Sequence, residues 1–396
     1  MIRAPIRFAA LLAAMLATPA QAACDAANTY TLSFASYPAM ALAYDTEYPV
    51  TITSSAGGSR SIKLQMAQNG LSSTQVNGAA YPRVNTLFSG ADGGNNLVMG
   101  GVFANRNQSM DGTSRMMTLT ITFDVPVRDV AITMNDVDFS ANQYRDFVKV
   151  VGGNTVNGAA VSYTPVLTTP WGQSSATGGT RTSNSSSLAV GSTTQNGIVV
   201  DPDEALGRST ADSGTDTGTL FATFAQPVRT VTVKYGNAPY TSGENTTGQQ
   251  AIGFEAISFC PMPAIAMTKK STPVTSTLGA YALPGNDVIY ELTVTNSGGS
   301  PVDASTIVLA DMLPANVIFR NSAYDTTTTT NYSFSANSSG VALAAARVTY
   351  SNNNGSSYAY TPASGYDTAV DAVRYSPTGT MAANSSFSVR FKAQVK

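Results

Sequence analysis

Leu119-Thr120-Ile121-Thr122-Phe123 alternates apolar and polar residues, and beyond Pro126 the alternation resumes at Val130, Ile132 and Met134. In an extended chain, side chains two apart share a face. The stretch therefore predicts two strands, each buried on one side, that meet at a proline corner. The pattern returns further along. Phe123 to Val130 and Phe224 to Val231 both read F-x-x-P-V-R-x-V, and the second continues through Val233 and Tyr235. A proline breaks the hydrogen-bond ladder and turns the chain, as where a strand passes from one sheet of a sandwich to the other. With only two copies, these are two equivalent strand–corner–strand units rather than a solenoid.

The same period governs the second half. Val288, Tyr290, Leu292 and Val294 face one way, and Phe387, Val389, Phe391, Ala393 and Val395 repeat the pattern. Outside the first 22 residues one helix-like run exists, Val341 to Arg347. It lies between Gly340 and the strand-like Val348-Thr349-Tyr350, so it reads as a strand or a single turn. At about 150 residues per domain, 396 residues suggest two or three domains. The reading is all-β, with two β-sandwich domains at 23–260 and 264–396 and a stiff Pro261-Met262-Pro263 joint between them. The polar stretches 172–197 and 207–218 read as surface loops.

Charged residues are only 12% of the chain, with 22 Lys plus Arg against 24 Asp plus Glu, a net charge of −2. That balance lacks the basic patch of a nucleic-acid binder. The absence of histidine excludes Ser-His-Asp and Cys-His catalysis and any imidazole-bound zinc. Paired carboxylates of the glycoside hydrolase type remain as a distant alternative. Residues 1–22 read as an export signal: Arg3 and Arg7, then the apolar run Phe8 to Ala17, then Ala20-Gln21-Ala22. The run is too short to span a bilayer, and no transmembrane segment is expected elsewhere. Secretion or cell-surface display follows, with the periplasm as an alternative. In an oxidising compartment the only two cysteines, Cys24 and Cys260, are expected to form a disulfide tying the ends of the first domain. Lipid on Cys24 is the competing reading. Gln21, however, stands where such signals carry an aliphatic residue, and Cys260 would be left as a free thiol.

Leu283 to Gly298, which reads LPGNDVIYELTVTNSG, is followed by Asp311-Met312-Leu313-Pro314. This resembles the bacterial conserved repeat called domain of unknown function 11, whose pattern is P-G-D-x-V-x-Y-x-[IL]-x-V-x-N-x-G and then D-x-L-P. The resemblance implies an Ig-like sandwich over 264–396, of a kind found on surface and secreted proteins. Asn316 stands where the family carries Gly, and Asn tolerates the left-handed conformation such a turn uses. Phe123 to Asp138 and the closing GFEAISFC resemble bacterial choice-of-anchor modules and carbohydrate-binding jelly rolls, which implies a jelly-roll-like first domain.

Acidic residues gather at Asp136, Asp138 and Asp146, at Asp201, Asp203 and Glu204, and at Asp212 and Asp216. Spaced loop acids of this kind supply part of a calcium shell, so Asp136, Asp138 and Asp146 are candidates for a structural calcium; solvated turn acids are the plainer alternative. Trp171, Tyr235 and Tyr240 are candidates for stacking on a sugar ring, or for plugging the core. Lys269 and Lys270 lie in the first strand of the second domain and Asn384 precedes the last. A Lys–Asn isopeptide is weighed there against lysines that protect a sheet edge. No catalytic residue is expected. The functional expectation is a secreted bacterial surface or matrix protein, structural or adhesive, that meets other extracellular proteins or surface glycans. A carbohydrate-binding module is the alternative.

Overall fold

The computed structural model describes residues 24, 26–88, 93–170, 186–211, 215–240, 247–277 and 279–396. The described chain is all-β: antiparallel sheets and two single 3-10 turns. It divides into two compact units, Cys24–Ala264 with Ser297–Ser300, and Ile265–Asn296 with Pro301–Lys396.

The first unit is organised by the strand Met116–Asn135. Its first half pairs antiparallel with Ser59–Asn69 and with Val228–Asn237. Its second half pairs with Gln249–Pro261 and with Leu220–Thr223. The register shifts between Thr122 and Val127, where the exposed Asp124 and Val125 lead into Pro126. One strand thus joins two sets of partners, and its alternating Leu119, Ile121, Phe123, Val130, Ile132 and Met134 all enter one core.

The second F-x-x-P-V-R-x-V segment lies opposite the first. The first half of one copy pairs with the second half of the other, in both directions, and the equivalent valines Val127 and Val228 are register partners. The sequence echo is therefore a local two-fold relation between two strand–corner–strand units. Phe123 and Phe224, and Val130 and Val231, fill equivalent core positions.

Tyr30–Ser33 pairs with Gln249–Pro261, setting Tyr30 opposite Phe259 with their rings stacked at 5.5 Å. This register brings the chain start beside Cys260, and Cys24 and Cys260 form a disulfide with Cα atoms 6.2 Å apart. Pro261 is the buried last residue of its strand, opposite Val127, rather than part of a joint. A proline is tolerated at a strand end because no ladder hydrogen bond is lost there.

In the second unit Asp287–Asn296 pairs with Ser385–Val395 so that Tyr290 meets Phe391, Leu292 meets Val389 and Val294 meets Phe387. These apolar faces, with Phe319 and Tyr375, form its core. A second sheet contains Leu309–Met312, Ala372–Tyr375 and Val348–Ser351. Val341 to Arg347 contains a single 3-10 turn, Ala345–Arg347, feeding the strand Val348–Ser351. Asn316 is not among the residues with positive φ, so this turn does without the left-handed conformation expected for it.

Candidate functional site

Tyr144–Val156 pairs with Val228–Asn237, with Asp146 opposite Asn237 and Val148 opposite Tyr235. The register buries Asp146 completely. Its Oδ1 accepts from the Tyr235 hydroxyl at 2.6 Å and from Gln250 Nε2 at 3.1 Å, and its Oδ2 accepts from the Asp138 backbone N–H at 3.0 Å. The loop carrying Asp138 is tightly enclosed. A Cβ on Gly207 would collide with the Asp138 carbonyl, and one on Gly218 would sit 2.9 Å from the Asp136 Cα. Asp136 itself adopts φ +66°, the left-handed region that Asp visits more readily than most residues.

Burial pushes the Asp138 carboxyl up to about 6, against the pull of the Ala211 N–H and the Tyr144 hydroxyl. Asp146 is held well above the usual carboxylate range by burial and then by the charge of Asp138, with the Tyr235 hydrogen bond opposing. Asp138 Oδ2 accepts from Ala211 N at 2.8 Å; its Oδ1 has no hydrogen-bond partner among the described residues. The structure thus brings Asp136, Asp138 and Asp146 within electrostatic reach of one another. It engages both Asp146 oxygens with internal donors rather than leaving them open to a cation.

Among the described residues, one group of three acids brings its carboxylate oxygens within 4.8 Å of one another: Asp111, Asp201 and Glu204. Lys149 meets two of them, its Nζ at 2.8 Å from Asp111 and 3.2 Å from Glu204, and lies 3.4 Å from Asp203. The ammonium of the chain itself therefore supplies positive charge to this cluster. Opposite it in register, Lys234 Nζ donates to the carbonyls of Met110, Asp111 and Gly112 at 2.9–3.3 Å. Burial works against the Lys149 charge, but its acid neighbours outweigh that and hold it above the ordinary lysine range. Burial, followed by the charge of Lys149, lowers Lys234. Glu204 is pushed up by burial, while the Lys149 hydrogen bond lowers Asp111. Sequence reading found Asp201, Asp203 and Glu204 but missed Lys149. The only signal for it was a charged residue inside the otherwise apolar run Phe147 to Val151.

Tyr235 is wholly buried, edge-on to Phe103 at 5.7 Å, and does not reach a ligand-binding rim. Tyr240 is half-buried and stacks on Phe139 at 4.1 Å, with the Arg145 guanidinium 5.4 Å from its ring centre. The two tyrosines do not form one sugar-stacking platform, because strand alternation turns Tyr235 into the core. Trp171 and Asp212 lie outside the described residues. In the second unit Lys269 Nζ meets Asp311 at 2.5 Å, whereas Lys270 and Asn384 are both exposed.

No family model, curated protein or solved structure matches this chain. No helix among the described residues is long and apolar enough to cross a membrane.

Proposed function

We propose that the chain is an exported bacterial surface or extracellular-matrix protein with a structural or adhesive role and no catalysis. The observation that carries this reading is the Cys24–Cys260 disulfide, whose first cysteine follows closely on Ala20-Gln21-Ala22. A disulfide closing so long a segment persists in oxidising compartments. The site chemistry supports the same reading. Asp146 accepts donors from Tyr235, Gln250 and the Asp138 backbone, and Lys149 bridges Asp111, Asp203 and Glu204. These groups act as internal struts between strands and loops. The second unit is read as an Ig-like module of the conserved-repeat type, because the LPGND turn opens its central strand and Asp311 of the D-x-L-P segment anchors Lys269.

Cell fractionation, with peptide mapping of unreduced protein, tests the proposal. A linked Cys24–Cys260 peptide in the exported fraction is expected, together with no turnover on a polysaccharide and peptide panel. Retention in the cytoplasm with free thiols would overturn the export reading. Hydrolysis abolished by Asp138→Asn would replace the structural reading with a carboxylate enzyme.

A further inference from the structure

Among the described residues the strand Thr46–Thr53 pairs with Ser59–Asn69 and with no second strand. Between it and the strand Asn96–Phe103 lies a cavity of about 180 Å³. Its buried floor includes Leu64, Met66 and Leu97, and half-buried Tyr48 and Val50 line its flank. Met40, 42% exposed, also lines it, on the segment 37–44.

That segment is fixed at several points. Asn95 Nδ2 donates to the Tyr37 carbonyl at 2.8 Å, and the Leu42 N–H donates to the Pro82 carbonyl at 3.0 Å. The Ala43 N–H donates to the Tyr48 hydroxyl at 2.8 Å. Tyr44 reaches inward to the Met117 sulfur at 3.0 Å. The cavity is therefore held open by strapped backbone rather than left by a loose loop.

We infer that this cavity binds a small uncharged hydrocarbon group, either a single aromatic ring or the end of an alkyl chain. Two physical points decide the class. An ordered water needs two to four polar partners, and the walls here are aliphatic, thioether and ring carbon, so water is a poor occupant. A dry cavity of roughly 150 Å³ lined by such side chains accepts a benzene-sized molecule; this one, of about 180 Å³, is slightly larger and opens to solvent beside the exposed Met40. A charged or hydroxyl-rich ligand would lose its hydration without compensation there.

Methyl-resolved NMR of the full oxidised chain tests the inference, with toluene as the ring probe and n-octanol as the chain probe. Saturable shifts confined to methyl groups of Leu64, Met66 and Leu97 are expected, with a rise in melting temperature. Saturation by toluene alone identifies a free aromatic ligand, and saturation by octanol alone identifies a chain end. Val50→Trp places an indole in the cavity and should abolish the response. Should that variant not fold, xenon on the unaltered chain should give one saturable site at the same methyl groups. Shifts that never saturate, that scatter over the surface, or that survive in folded Val50→Trp would overturn the inference.

Discussion

The two units fill their interiors differently. Cys24–Ala264 buries Arg145, Asp146, Lys149 and Glu204, each linked to loops that fold inward over the strands. The second unit concentrates on rings: Tyr290, Phe319, Tyr375 and Phe391 pack at centroid distances of 5.4–6.4 Å. Its charges lie nearer the margin, as in the Lys269–Asp311 pair, whose lysine side chain is 30% exposed. Apolar packing tolerates exchange of one hydrocarbon for another. A buried polar network tolerates little, because a lost partner leaves a desolvated group unpaired. The first unit should therefore fail at specific residues and the second should degrade gradually.

The largest expected difference comes from the disulfide. Cys24 and Cys260 are 236 positions apart, and in the chain-entropy model a loop of that length is worth about 5 kcal/mol. Replacing both cysteines with serine should lower the unfolding midpoint of the first unit and leave that of the second unchanged. Denaturant titration followed by peptide-resolved hydrogen exchange separates the two. An equal loss in both units would break the comparison.

Next in size is a matched pair of lysine substitutions. Lys149→Met strands Glu204, 1% exposed, among other acids, and removing one partner of a buried pair costs about 3–5 kcal/mol. Lys269→Met also leaves a buried acid, Asp311, but its ammonium is 30% exposed against 11% for Lys149, so water already weakens that pair and the loss should be smaller. Comparable losses from the two variants would mean that burial of the lysine does not set the difference.

Much of the frame was legible because alternation is a local property. Leu119 to Phe123, Val288 to Val294 and Phe387 to Val395 announce both strand and buried face without reference to anything distant. The F-x-x-P-V-R-x-V echo was visible too, but not that the copies pair with each other, since register between segments depends on the whole sheet. The candidate sites were less legible for the same reason. Asp146 and Tyr235 look like a loop acid and a surface aromatic until strand pairing places them 2.6 Å apart in the core. Lys149 meets Asp111 and Glu204 only through chain crossings that no spacing rule encodes.

The two units also differ in how their stability responds to pH. In the folded chain Asp138 keeps its proton up to about pH 6, whereas an unfolded aspartate loses it near 3.9. Between those values the folded form binds more protons than the unfolded form, so stability must fall as pH rises. The contribution is fully present below about pH 4, is lost as pH rises through 6, and amounts to about 3 kcal/mol. Asp146 and Glu204, both shifted upward, act in the same direction. In the second unit the shifts oppose. Burial raises Asp311 despite Lys269. Burial also acts upward on Asp367, but the N–H groups of Ala363 and Ala369 and the Tyr360 hydroxyl outweigh it and lower that group. Unfolding curves at pH 4 and pH 8 should show a marked loss in the first unit and a shallow change in the second. Asp138→Asn cannot ionise, so it should make the profile of the first unit shallower, leaving the part due to Asp146 and Glu204. A slope as steep as that of the unaltered chain would assign the whole titration to those two acids.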